Sequence, residues 1–284
     1  MGSGLQPPFL GRPPGRPGVK KCCSEGRSVM ATLNPVFIGH GSPENAIADN
    51  RYSRFLSAFA NKIPKPEAVV VLSAHWQTGG TFITSGRNPQ QIYDFWGFPD
   101  ELYRLEYAPG GSPEIAAMIA DAGLGVSEDP ERGIDHAAWA VMKHMYPAKD
   151  VPLLEISLDV NKTEEEHFEM GKRLAKFCQN GILFMGSGNM VHNLRNISFD
   201  ENRKPFPWAV KADLWLKEAI ENHEVEKLIH YREKMPEYRM SIPTDEHFLP
   251  LLYIMGMRAE EQSAGTIYEE IQNGSISMRC IEIG

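Results

Sequence analysis

The sequence predicts an α/β protein, a single three-layer domain with a mixed, mainly parallel central sheet flanked by helices. Three observations carry that expectation. Strand-like apolar runs at 35–39, 68–73 and 181–185 alternate with stretches whose apolar residues recur at helical spacing. The first two runs enclose one such helix, a βαβ arrangement, which makes them parallel. Each run also delivers a histidine beyond its carboxyl end: His40 in Gly39-His40-Gly41-Ser42-Pro43, His75 in Ser73-Ala74-His75-Trp76 and, more loosely, His192 after Gly186-Ser187-Gly188-Asn189-Met190-Val191. Ligands bind at the carboxyl edge of open α/β sheets, so one histidine-built site is expected there.

Composition bounds the rest. A chain of 284 residues, 42% hydrophobic and 23% charged, matches a soluble globular protein able to bury one large core. A formal charge of −8, from 37 acidic and 29 basic residues, argues against general nucleic-acid binding. No apolar run approaches the roughly 18 to 20 residues of a membrane span, so no membrane segment is expected. Cys22, Cys23, Cys178 and Cys280 form no C-x-x-C pair, which weakens zinc-ribbon and thioredoxin readings and favours a reduced, cytoplasmic protein. Nothing in the sequence speaks to oligomeric state.

Residues 1–30, with Gly11-Arg12-Pro13-Pro14-Gly15-Arg16-Pro17-Gly18, cannot bury a core and are expected to be a disordered leader or an appended segment, with Met30 as an alternative start. The folded domain is expected over 31–284. After the strand at 35–39, Tyr52, Phe55, Leu56 and Phe59 mark a helix over 49–61, and 68–73 is the second strand. A short strand follows at 81–84. Residues 88–111 read as an aromatic-rich loop, placed to wall a pocket or simply to pack. Ser112-Pro113-Glu114 opens a helix with a Ser cap and Pro at the first position, ending near 122–123. A helix over 137–145 follows Gly133-Ile134-Asp135-His136, and a strand covers 151–158. The stretch 161–178 has acids in its first turn and bases later, the order the helix dipole favours. One or two helices are expected over 208–234, another over 248–255 where Pro250 blurs the start, and a final alternating strand over 275–283.

Nine histidines divide by setting. His167, His223 and His230 sit in charged helical stretches and read as solvated surface residues; His144, on an apolar helix, reads as packed. His40, His75, His136, His192 and His247 each follow a strand-like run or a Gly- or Pro-containing turn. Any one alone reads as a loop histidine bonded to backbone. Five together point to a metal site, because neutral imidazole suits zinc, iron and copper. Rival chemistries lack their motifs: there is no G-x-S-x-G elbow, no Walker A loop and no G-x-G-x-x-G fingerprint. Neither Cys178 nor Cys280 lies in the strand-to-loop setting of a nucleophile.

The set Gly39-His40-Gly41-Ser42-Pro43, Ser73-Ala74-His75-Trp76, Asp135-His136, Gly186-Ser187-Gly188-Asn189-Met190-Val191-His192-Asn193 and Glu246-His247-Phe248-Leu249-Pro250-Leu251 resembles the class III extradiol ring-cleavage dioxygenases, and within the LigB superfamily the 4,5-DOPA extradiol branch. The resemblance spans residues 34–284 with the motifs in order. It implies that His40, His75 and His247 bind the metal, His247 standing where protocatechuate-type relatives carry a glutamate; Glu246 beside it leaves open which side chain binds. It implies that His192 is the acid–base histidine and a fourth metal ligand when no substrate is bound, and that His136 meets substrate and oxygen. The implied cofactor is Fe(II), with Zn(II) able to fill the site. The implied reaction takes a small-molecule catechol, L-DOPA or a related compound, and O2 to a muconic semialdehyde. Two alternatives stand beside it: a zinc-dependent hydrolase using the same cluster, and a non-catalytic metal-binding relative.

Overall fold

A computed structural model describes residues 1–4, 31–198 and 203–284. The expected leader lies, after its first four exposed residues, outside the described residues. The chain begins with β1 (Val36–Gly39), α1 (Arg51–Ala60), β2 (Ala68–Thr78) and β3 (Thr81–Thr84). Next come α2 (Asp100–Arg104), α3 (Pro113–Ala120), β4 (Val126–Asp129), α4 (His136–Met145), β5 (Leu153–Asp159), α5 (Glu164–Leu174) and β6 (Ile182–Gly188). A helical stretch of α6 (Pro207–Glu221), α7 (Val225–Ile229), α8 (Tyr231–Lys234) and α9 (Tyr238–Ser241) precedes α10 (Leu249–Gly256). The strands β7 (Ala264–Tyr268), β8 (Ile271–Gln272), β9 (Ile276–Ser277) and β10 (Cys280–Ile283) close the chain.

One mixed sheet runs in the order β4-β3-β5-β2-β6-β1-β10-β7. Its centre, β5-β2-β6-β1, is parallel, while β10 and β7 return antiparallel and β3 opposes β5. The first two strands are parallel as expected, but β6 lies between them. Successive residues of the central strands enter opposite cores. Val36, Ile38, Val69 and Val71 pack toward α1 and α4, while Phe37, Val70 and Leu72 pack toward α3, α5, α6 and α10. Burial on both faces is why these strands read as unbroken apolar runs. The helices start where capping chemistry allows: Asn50 and Ser53 cap α1 reciprocally, Thr163 and Glu166 do so for α5, and Ser112 accepts from the Ile115 N–H ahead of Pro113.

Several expectations need correction. The second strand does not stop at Ser73; it runs to Thr78 and carries His75 within it. Its register against β5 jumps between Leu72 and Gln77, so a bulge re-aims the side chains while the strand stays in the sheet. The expected strand at 275–283 splits, because Ile276–Ser277 pairs with β8 in a separate ribbon before Cys280–Ile283 joins the main sheet. The helix expected over 161–178 tightens into a 3-10 turn from Ala175. Strands β4, β7 and β8, and α2 within the aromatic loop, were not anticipated. His167 is not solvated: it is 1% exposed, lies on the inward face of α5 with Met170, Gly171 and Leu174, and its Nδ1 is 2.9 Å from the Tyr253 hydroxyl. His230 is exposed and His223 half-buried, while His144 packs with Nε2 2.7 Å from the Asn45 carbonyl. Among the described residues no helix is long and apolar enough to cross a membrane.

Candidate active site and metal centre

The carboxyl ends of β1, β6 and β2 and the turn leading into α10 meet at one edge of the sheet. The five histidines singled out from sequence line one cavity of about 430 Å³ there. Ring nitrogens of His40, His75 and His247 lie within 4.8 Å of one another. His40 leaves β1 directly, and its backbone N–H donates to the Gly188 carbonyl of the neighbouring strand at 3.0 Å. His247 is held against the end of β6 by the Asn189 N–H, which donates to its carbonyl at 2.9 Å. Glycine is required at 188, because a Cβ there would run into the His247 backbone.

Hydrogen bonds at His40 and His247 define the tautomers of those two rings. His40 Nδ1 is 3.0 Å from Ser187 Oγ, and that hydroxyl donates its proton to the Ala137 carbonyl at 2.6 Å. Ser187 therefore accepts, His40 carries its proton on Nδ1, and Nε2 keeps a lone pair. His247 Nδ1 is 2.9 Å from Glu246 Oε1, a carboxylate that can only accept. His75 Nδ1 is 3.0 Å from Asp94 Oδ2, and its Nε2 is buried without a hydrogen-bond partner. Three imidazoles, each with Nδ1 turned to a neighbouring oxygen and Nε2 left over, form a donor set fitted to a divalent transition metal. The orphaned His75 nitrogen is a buried polar atom that a metal would satisfy. Glu246 supports His247 here by accepting its Nδ1 proton.

His136 opens α4 behind its cap residue Asp135, and its ring lies 4.2 Å from that of His75, centroid to centroid. Both rings are tied to Asp94, which sequence reasoning missed: Asp94 Oδ1 is 2.9 Å from His136 Nδ1 and accepts the His136 backbone N–H at 3.1 Å. The signal that could have found it is a single carboxylate embedded among Tyr93, Phe95 and Trp96 in a loop already suspected of walling a pocket. Burial opposes the charge of Asp94, but the imidazoles of His136 and His75 outweigh it and hold the carboxyl well below the usual range. Burial likewise opposes protonation of His75, and Asp94, Asp135 and Glu246 overcome it, raising the basicity of that ring. His40 and His247 are pushed down by burial and then by neighbouring histidines.

His192 is placed differently. Its ring stacks on that of His247 with centroids 3.6 Å apart and planes within 13°. Its nitrogen groups with Glu246 and His247, not with His40 and His75. Burial, then His247, lowers its pKa to about 2, so the ring is neutral. Beneath the site, Asp135 accepts from Ser73 Oγ, whose hydroxyl oxygen accepts the His75 N–H at 3.1 Å. Asp135 in turn rests on buried Glu155, whose carboxyl is pushed well above its usual range by burial and by Asp135. Cys178 and Cys280 are buried away from the cavity, their thiols pushed up to about 12 by burial.

Comparison with known proteins places the chain in a family. The pattern of the family described as catalytic LigB subunit of aromatic ring-opening dioxygenase matches residues 36–278. The chain is 40% identical over 258 residues to the 4,5-DOPA dioxygenase extradiol of Escherichia coli (strain K12), covering 88% of this chain and 94% of that one. It is 36% identical over 255 residues to the 4,5-DOPA dioxygenase extradiol of Beta vulgaris, covering 85% and 92%. A crystal structure of an Escherichia coli K12 protein described as uncharacterized superposes with a TM-score of 0.78 at 34% identity, covering 89% of this chain and all of that one.

Proposed function

The chain belongs to the LigB family and is an extradiol ring-cleavage dioxygenase; from that premise we propose that it works with Fe(II) held by His40, His75 and His247, and that its substrate is a catechol, L-DOPA or a related compound. The observation that carries this reading is the convergence of three Nδ1-anchored imidazoles within 4.8 Å at the floor of an aromatic-walled cavity. Ferrous iron held by His40, His75 and His247 would supply Lewis acidity toward the catechol and the electron-transfer chemistry that ring opening by O2 needs.

The chain's own residues do the rest. His192, neutral and stacked on His247, takes a hydroxyl proton from the catechol at its ring nitrogen. His136, fixed through Nδ1 by Asp94, presents Nε2 to substrate and oxygen. Phe95 and the aromatic loop keep water from the ring as it reacts. The carbon–carbon bond beside the hydroxyls breaks, both atoms of O2 enter the product, and a muconic semialdehyde leaves.

The test is anaerobic loading with Fe(II), then a catechol panel in air, following O2 uptake and the yellow semialdehyde together. One O2 consumed per ring opened is the expected result. Protein that binds Fe(II) and catechol yet consumes no O2 contradicts the reading.

A further inference from the structure

The cavity changes character from floor to mouth. Two of the histidines at its base are nearly inaccessible, His40 at 3% and His136 at 4%. Apart from Asp94, Ser42 and the Gly41 and Pro43 beside it, the rest of the lining is large and apolar: Phe95, Trp96, Phe98, Leu194, Ile197 and Ile276. Two of these are among the few large apolar side chains on the surface, Trp96 being 86% exposed and Leu194 57%. Exposed apolar residues converging on the mouth of a pocket mark a surface that a ligand covers. Among the described residues that line the cavity there is no lysine or arginine. Arg195 follows Leu194 in the same 3-10 turn but does not line the cavity.

We propose that the catechol this site selects carries an uncharged, apolar substituent, an alkyl or aryl chain, and that Trp96 and Leu194 read it. The inference rests on the catechol-cleaving reading and narrows its substrate range away from L-DOPA, whose side chain is charged, toward related catechols with an apolar one. A cavity of about 430 Å³ lies in the range that takes drug-sized molecules, so a bare catechol leaves room beyond the histidines. A carboxylate-bearing substituent entering the room beyond the histidines gives up water without meeting a lysine or arginine there. An alkyl chain instead covers the indole of Trp96 and the Leu194 side chain, and each methylene buried strengthens binding by roughly fourfold.

The experiment measures kcat/KM of the Fe(II) enzyme for catechol, 4-methylcatechol, 4-propylcatechol, 3-(3,4-dihydroxyphenyl)propanoate and L-DOPA. The expected order rises with alkyl length, and 4-propylcatechol exceeds the propanoate by about tenfold or more. Trp96→Ala and Leu194→Ala, both at exposed positions, should each reduce the ratio of 4-propylcatechol to catechol severalfold. The same series titrated against Zn(II)-loaded protein reads affinity without turnover and should give the same order. If the propanoate or L-DOPA matches or beats 4-propylcatechol, the inference is overturned; loss of that preference in Arg195→Ala would identify the cation responsible. Binding in the expected order with no O2 consumption would uphold the selectivity and sink the ring-cleavage reading instead.

Discussion

Asp94 shows how much of this site depends on one side chain that binds no metal. Its two oxygens reach the Nδ1 atoms of His75 and His136, 3.0 and 2.9 Å away, so one carboxylate sets the orientation of a proposed ligand and of a proposed substrate contact. Carboxylates behind ligating histidines set the tautomer and raise ligand basicity, and their loss typically costs 10- to 100-fold in metal affinity. Asp94→Ala should therefore weaken Fe(II) or Zn(II) binding by about that factor, with Asp94→Asn intermediate because one acceptor oxygen survives. Metal titration of the two variants checks this, and an affinity within twofold of the parent for Asp94→Ala would show that His75 orients itself. The histidines were legible in sequence because strand-like runs or glycine- and proline-containing turns precede them. Asp94 was not, because a lone acid in an aromatic loop looks like a solubilising residue until the fold brings His75 and His136 to it.

Elements carry these residues to one place. Strands β1 and β6 are adjacent and parallel, with Gly39 opposite Gly188, so His40 and the 189–192 turn emerge side by side. The turn before α10 then lies across the end of β6, where Gly188 leaves no Cβ to obstruct His247. Gly188→Ala should displace His247 while the sheet survives. A shift of order 1 Å at a reacting centre costs about 10²-fold in rate, so turnover should fall that far with an unchanged far-ultraviolet circular dichroism spectrum. Unchanged kinetics would mean that His247 tolerates the added methyl. The central strands were readable as apolar runs because both faces are buried. The edge was not: β4 reads Val-Ser-Glu-Asp, half of it exposed, and its pairing with β3 comes from tertiary contact instead of strand propensity. His75 inside β2 escaped for a similar reason, since the apolar run ends before the strand does.

The molecule as a whole couples stability to pH through a histidine that does not line the cavity. His167 bonds to Tyr253 between α5 and α10, and burial lowers its pKa to about 4 from an ordinary 6.5. Between those values the unfolded chain takes up a proton that the folded chain refuses. The stability it contributes is present above pH 6.5 and is lost as the pH falls toward 4, up to about 3 kcal/mol. In metal-free protein, His167→Gln should flatten the fall in Tm between pH 7 and 4.5 relative to the parent; parallel curves would contradict the assignment. The pattern was present in sequence, since His167, Met170, Gly171 and Leu174 share one helical face, but the surrounding charges concealed it. In the proposed division of labour three histidines hold the metal while His192 moves protons. Metal content measured on His40→Ala, His75→Ala, His247→Ala and His192→Ala after Fe(II) loading, beside the rate at saturating catechol, tests it most directly. The first three should lose most of the metal, and His192→Ala should keep it while turnover falls by roughly 10²- to 10⁴-fold. Full metal retention in any of the first three, or metal loss in His192→Ala, would contradict the account.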